Sequence, residues 1–218
     1  QWHFVGPTRR VEELYDCQAD PLNLRNLVDA PDHRDVLVRF RTELFRNVRA
    51  SRDLGFLPEA LMWEQSRGTT PWEMARQDAR YDQRRLVNAA SAVGRAEEPV
   101  FLEHLRHTDA GVRYWGAVGL HAAKSLSEGA AGALTDALSD VSAMVRIEAA
   151  GALARHGHVD AAVPVLASAL SDENLTVVQH AARTIELLGN DAAGASEAMA
   201  ACDDRMKRIR PPDTSPLD

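Results

Sequence analysis

Leu138-Ser139-Asp140-Val141-Ser142-Ala143-Met144-Val145-Arg146-Ile147-Glu148-Ala149-Ala150-Gly151-Ala152-Leu153 decides the fold, because the chain carries this pattern three times. Leu105 to Leu120 and Leu170 to Ile185 follow the same order. A Leu comes first, then an Asp (Asp109, Asp140, Asp172) and a Val (Val112, Val145, Val177). A pair of small residues follows (Gly116-Ala117, Ala149-Ala150, Ala181-Ala182), then a large aliphatic residue. The offsets stay near 31 to 33 residues, the mark of a solenoid. Each unit divides into two helices, the first ending near the Asp and the second beginning near the Val. One helix pair cannot bury its apolar face alone, so neighbours must stack. The small pair lets two helices approach closely. The Asp is expected to cap the second helix, where unpaired N–H groups point outward. Arg113 and Arg146 follow the valines and are expected to pair with an Asp of the same or the adjacent repeat. Val178 holds that place in the third unit, so the charge ladder stops there, as suits a terminal repeat.

Upstream of this array, which spans 99–204, lie a linker with helical pieces over 53–98 and a different kind of segment over 1–52. Thr70-Pro71-Trp72-Glu73 is a strong helix start: Thr70 caps, Pro71 sits at the first helical position and Glu73 closes a capping box. The spacing predicts a helix from there to Gly94 through Leu86, Val87, Ala90 and Val93, with a break near Arg80-Tyr81-Asp82. Asp29-Ala30-Pro31 reads as an N-cap with Pro behind it. It opens an amphipathic helix over 32–52, with Val36, Leu37, Phe40, Leu44 and Val48 on one face and arginines around the rest. Residues 1–28 read as extended chain and turns: Trp2-His3-Phe4-Val5 is a β-like run closed by Gly6-Pro7. The tail from Arg205 to Asp218 carries three prolines and is expected to be flexible. The fold class is therefore mainly α: an α-α solenoid preceded by a short extended segment and linker helices.

Composition narrows the function. A net charge of -7 argues against a broad nucleic-acid surface, which needs a basic stripe. No apolar run approaches a membrane span. Two cysteines, Cys17 and Cys202, make neither a disulfide framework nor a CxxC site. The opening Gln1-Trp2-His3 has no initiator Met and no signal-peptide pattern, so the natural start and any export signal are expected upstream.

The repeat length is nearer to ankyrin and tetratricopeptide units, but the Thr-Pro-Leu-His and Trp/Leu-Gly/Tyr signatures of those families are absent. The Leu–Asp–Val–Arg–Ala-Ala consensus resembles the short bacterial type of HEAT repeat. Glu13-Leu14-Tyr15-Asp16, Asp20-Pro21 and Asn26-Leu27 resemble the segment that closes the small C-terminal subdomain of type I sulfatases, where a helix like that over 32–52 follows. Cys17 stands where that family usually has an aliphatic residue. Val112 to Leu120, with Thr70 to Glu73, resembles the HEAT-repeat extension of some bacterial sulfatases related to the heparan N-sulfatase type. The resemblance implies a sulfatase parent using calcium and formylglycine, acting on a carbohydrate sulfate, and periplasmic or secreted. It implies partners as well: the upstream sulfatase domain, and through the array another copy or another protein.

No catalytic, cofactor or metal residue carries over. Formylglycine arises in a Cys/Ser-x-Pro-x-Arg motif, whereas Cys17 precedes Gln-Ala-Asp and Cys202 precedes Asp-Asp-Arg. The family's calcium-binding acidic clusters are absent, and Asp203-Asp204 lies in the wrong context. Other chemistry-bearing residues have ordinary structural readings. His156-Gly157-His158-Val159-Asp160 has metal-ligand types but sits where a repeat helix ends at a Gly, and His104 and His107 lack a third ligand. Asp20, Asp29, Asp32 and Asp35 read as caps and turn formers. The arginines over 34–52 read as a solvated face pairing with Asp35 and Glu43, with an anionic sugar as the sharper alternative. Trp115 reads as packing between the repeats and the preceding helix, against a sugar-stacking role. Trp63 and Trp72 read as docking the linker to the array. The rival to an enzyme fragment is a stand-alone repeat scaffold for protein interaction, which has no use for the segment 1–28.

Overall fold

The computed structural model of the protein describes residues 10–209, which form two compact units divided between Asp53 and Leu54. The β-like run Trp2 to Val5 lies outside the described residues. Among the described residues there is no strand, and no helix is long and apolar enough to cross a membrane.

The first unit is a tied loop followed by one helix. Asn26 is the knot: its Oδ1 accepts from the backbone N–H of Leu14 and of Val28, each at 3.0 Å, and its Nδ2 donates to the Glu12 carbonyl at 3.3 Å. Leu27 N–H closes the loop on Leu14 O at 2.7 Å. Within it, Asp16 Oδ1 accepts from the N–H groups of Gln18 and Ala19, and Asp20 Oδ2 from that of Arg25. Short polar side chains that satisfy nearby backbone donors are what bends the chain here. Asp29 does not cap the helix as expected. It pairs with Arg10, and Ala30 stands at the cap of the 3-10 turn Pro31–His33 with no side-chain bond. Helix α1 (Arg34–Ser51) then ends at Arg52 in the left-handed conformation. Of its apolar face only Val48 is buried, while Phe40 and Leu44 are more than half exposed.

The second unit holds the linker and the array. Helix α2 (Glu59–Gln65) buries Ala60 and Leu61. Helix α3 (Pro71–Met74) opens on the expected capping box, with Thr70 Oγ1 accepting from Glu73 N–H and Glu73 Oε2 from Thr70 N–H. It stops after one turn. The break begins at Ala75, earlier than expected, and runs through the expected Arg80-Tyr81-Asp82, because Met74 and Tyr81 are both buried and pull the chain inward. Asp82 then caps α4 (Gln83–Ala92) by accepting from Arg85 N–H.

Three helix pairs follow: α5 (Glu98–Leu105) with α6 (Ala110–His121), α7 (Glu128–Ala137) with α8 (Ala143–Arg155), and α9 (Val159–Ala169) with α10 (Leu175–Leu188). The second helices stack, α6 on α8 and α8 on α10, with α8 the most buried. This is an α-α solenoid of HEAT-type repeats. At the small pair Gly116-Ala117 the helices approach closely, as expected: a Cβ on Gly116 would fall 2.9 Å from the Leu105 backbone N. A Cβ on Gly119 would fall 2.1 Å from the Phe101 ring, so only hydrogen lets α5 and α6 meet there. The chain then passes through a 3-10 segment (Gly189–Ala195) into α11 (Ser196–Ile209). Residues 205–209 are therefore helix where a flexible tail was expected.

Linker and array share one core, joined through Leu57, Ala60, Leu61 and Met74. Trp115 contributes as read, donating from Nε1 to Phe56 O at 2.8 Å. Trp63 and Trp72 do not dock the linker. They are 51% and 63% exposed, and Trp72 carries Arg76 over its ring at 3.6 Å. Ala60 and Leu61 of α2 are the residues buried there.

Candidate functional site

The turns between paired helices form the first polar network. Aligning the repeats on Val112, Val145 and Val177 puts Asp109, Ser142 and Asn174 at the N-caps, and His107, Asp140 and Asp172 two residues earlier. Each earlier residue accepts from the backbone N–H of its N-cap residue: His107 Nδ1 at 2.9 Å, Asp140 Oδ1 at 2.8 Å and Asp172 Oδ1 at 2.7 Å. The three aspartates are thus not equivalent. Only Asp109 caps as expected, accepting from Gly111 and Val112 N–H.

The arginines serve the same turns. Arg113 Nη1 donates to the carbonyls of His107 and Thr108, and Arg146 Nη1 to those of Asp140 and Val141. Arg113 also reaches the next repeat and holds both oxygens of Asp140. Burial disfavours the Asp140 charge, but Arg113 and the Ser142 N–H outweigh it and hold the carboxyl below its usual range. In the third repeat, where Val178 replaces the arginine, Arg205 of α11 donates to the carbonyls of Leu170, Ser171 and Asp172.

The second network lies on the row of second helices. The third residue after each repeat Val is Trp115, Glu148 and His180. Glu148 of α8 stands between His121 of α6 and His180 of α10. Its Oε1 is 2.6 Å from His121 Nδ1, and its Oε2 is 3.5 Å from His180 Nε2. Burial opposes its charge, yet the two imidazoles dominate and bring the carboxyl down to about 2. Tyr114, beside the His180 ring, is pushed well above the usual phenol range by burial and by the Glu148 charge. The three residues open on a cleft of about 520 Å³ with Arg155, Arg183 and Leu187 also on its walls. A charged carboxylate flanked by imidazoles can hold and exchange protons. The hydroxyl on the cleft wall, that of Thr184, is turned away, donating to the His180 carbonyl of its own helix at 3.0 Å.

The residues singled out from sequence do not converge here. His156 is the C-cap of α8 and His158 the N-cap of α9, with Gly157 at φ +91 between them. Burial pushes the His156 ring toward its neutral form. Burial does the same to His104, while His107 serves its turn. Among the described residues no group of three or more His, Cys, Asp or Glu is arranged to hold a metal ion. Asp20 forms its turn, Arg46 pairs with Glu43 at 2.5 Å, and Arg41 pairs with Glu12. Cys17 is exposed and Cys202 is buried. Sequence reading does not single out Glu148, His121 or His180; the signal it offers is the register Trp115–Glu148–His180, three side chains with polar chemistry at one repeat position.

Residues 131–210 match the family model of HEAT repeats, from within α7 through α11. The ulvan-active sulfatase of Formosa agariphila is 45% identical over 60 residues, which are 28% of this chain and 10% of that protein. The chain thus spans a small fraction of the length of the curated relative it matches.

Proposed function

We propose that this chain is the C-terminal portion of a sulfatase, a sulfuric ester hydrolase acting on carbohydrate sulfate, whose catalytic site lies in a preceding domain. The observation that carries this reading is the 45% identity to a sulfatase over 60 residues. The tied loop supports it: the side chains of Asp16, Asp20 and Asn26 hold the backbone of a segment that resembles the closing segment of type I sulfatases. Calcium and formylglycine would belong to the preceding domain, and the protein would work in the periplasm or outside the cell. The array would add an interaction surface or wall the substrate cleft, as extended solenoid surfaces do.

The test is the intact mass of the native gene product, with hydrolysis of an aryl sulfate. A product much larger than 23.9 kDa with sulfatase activity is expected. A product near that mass without activity would overturn the reading in favour of a stand-alone repeat scaffold.

A further inference from the structure

We propose that Glu148, His121 and His180 form a proton-operated clasp, which tightens the stacking of α6, α8 and α10 when the imidazoles are charged and slackens it when they are neutral. The proposal stands independently of the sulfatase reading. It starts from placement. Three successive repeats each give one residue, so a single carboxylate touches both of its neighbours. In a solenoid, stability is nearly a sum over adjacent interfaces, and this carboxylate bears on two of them.

The Glu148 side chain is only 12% exposed, and a buried carboxylate needs charged or donating partners. His121 supplies a formed bond. His180 does not. Its Nε2 is buried and lacks a hydrogen-bond partner, yet it lies 3.5 Å from Oε2. A neutral imidazole can turn a lone pair toward that carboxylate, which repels it. A charged one carries N–H on both ring nitrogens and can only attract it. Protonation therefore gives the contact on α10 one sign. Imidazole is also the side chain that ordinarily changes charge between pH 5 and 8.

The surroundings leave the clasp free to respond. Tyr114, the other titratable group facing it from α6, stays neutral. On α10, Arg183 is held by Glu186 at 2.6 Å. Arg155 of α8 and Asp191 of the 3-10 segment stand on the cleft wall with opposite charges, and His156 beside His121 is kept toward neutral by burial. Helices α7 and α9 contribute no residue to the cleft. Gly151 makes the room: a Cβ there would lie 3.3 Å from the His121 ring and 3.1 Å from Thr184 Cγ2.

Hydrogen exchange of the whole chain at pH 5.5 and pH 8.0, corrected for intrinsic rates, tests the clasp. Amides of α10 should gain roughly three- to tenfold protection at the lower pH, the scale of a charge-assisted contact. Glu148→Gln, which keeps the shape, should abolish the gain. Should that variant fail to fold, His180→Gln removes the α10 half alone and should abolish it as well. His104 and His156 resist charging and oppose the effect, but they are common to parent and variants and cancel. An equal pH difference in parent and variants would overturn the proposal, as would no difference in the parent.

Discussion

Asp140 receives Arg113 on both carboxylate oxygens, Nε on Oδ2 at 2.6 Å and Nη2 on Oδ1 at 2.8 Å, across the boundary between the first two repeats. The side chains are 12% and 11% exposed, so this is not a surface pair. Removing one partner strands the other charge. Arg113→Ala and Asp140→Ala should each cost about 3 kcal/mol in urea unfolding. The double variant should cost less than the sum of the two, because no buried charge is left alone.

The pH dependence on the acid side follows from the carboxylates. Glu148 and Asp140 both have folded values below their unfolded ones, Glu148 at about 2 against 4.5. Their stabilisation is complete above the unfolded values and is lost as pH falls through the folded ones. The urea midpoint should therefore drop between pH 4.5 and about 2, and in Glu148→Gln that drop should be shallower. An unchanged slope would show that Glu148 contributes nothing there.

Two glycines give opposite expectations. Gly119→Ala drives a methyl into the ring of Phe101, itself 3% exposed, and should destabilise by about 3 kcal/mol. Gly132, exposed on α7 with nothing within 4 Å of a new Cβ, should gain about 0.5–1 kcal/mol as Ala. Thermal unfolding of the two variants compares them directly.

Arg205→Ala removes donors from three carbonyls at the α9–α10 turn. The expected loss is about 1–3 kcal/mol. It should appear as faster hydrogen exchange in α11 and at that turn, while α6 stays unchanged.

The array was legible because the Leu–Asp–Val–Ala pattern has a period, and stacked pairs are its physical consequence. The Thr70 capping box was legible because both of its bonds are local. Asp109, Asp140 and Asp172 looked alike in sequence, but Asp109 stands three residues before its Val and the other two stand five before theirs, which puts one at a cap and two ahead of it. The other misses were non-local. Trp63 and Trp72 looked like docking groups because size suggests burial, yet Ala60 and Leu61 are the residues buried there. The Glu148 pairings join residues 27 and 32 positions away, and no local rule exposes them. Arg205 reads as tail because its neighbours are mostly polar, while its partners lie more than thirty residues upstream.

That last contact fixes how short the folded array can be. A chain ending at Gly189 would keep every Leu–Asp–Val unit and still be unfinished. The carbonyls of Leu170, Ser171 and Asp172 would lose their guanidinium, and the cover given by Ala192, Ala195 and Cys202 would be gone. The minimal autonomous unit is therefore longer than its countable repeats, and its C-terminal limit falls within α11.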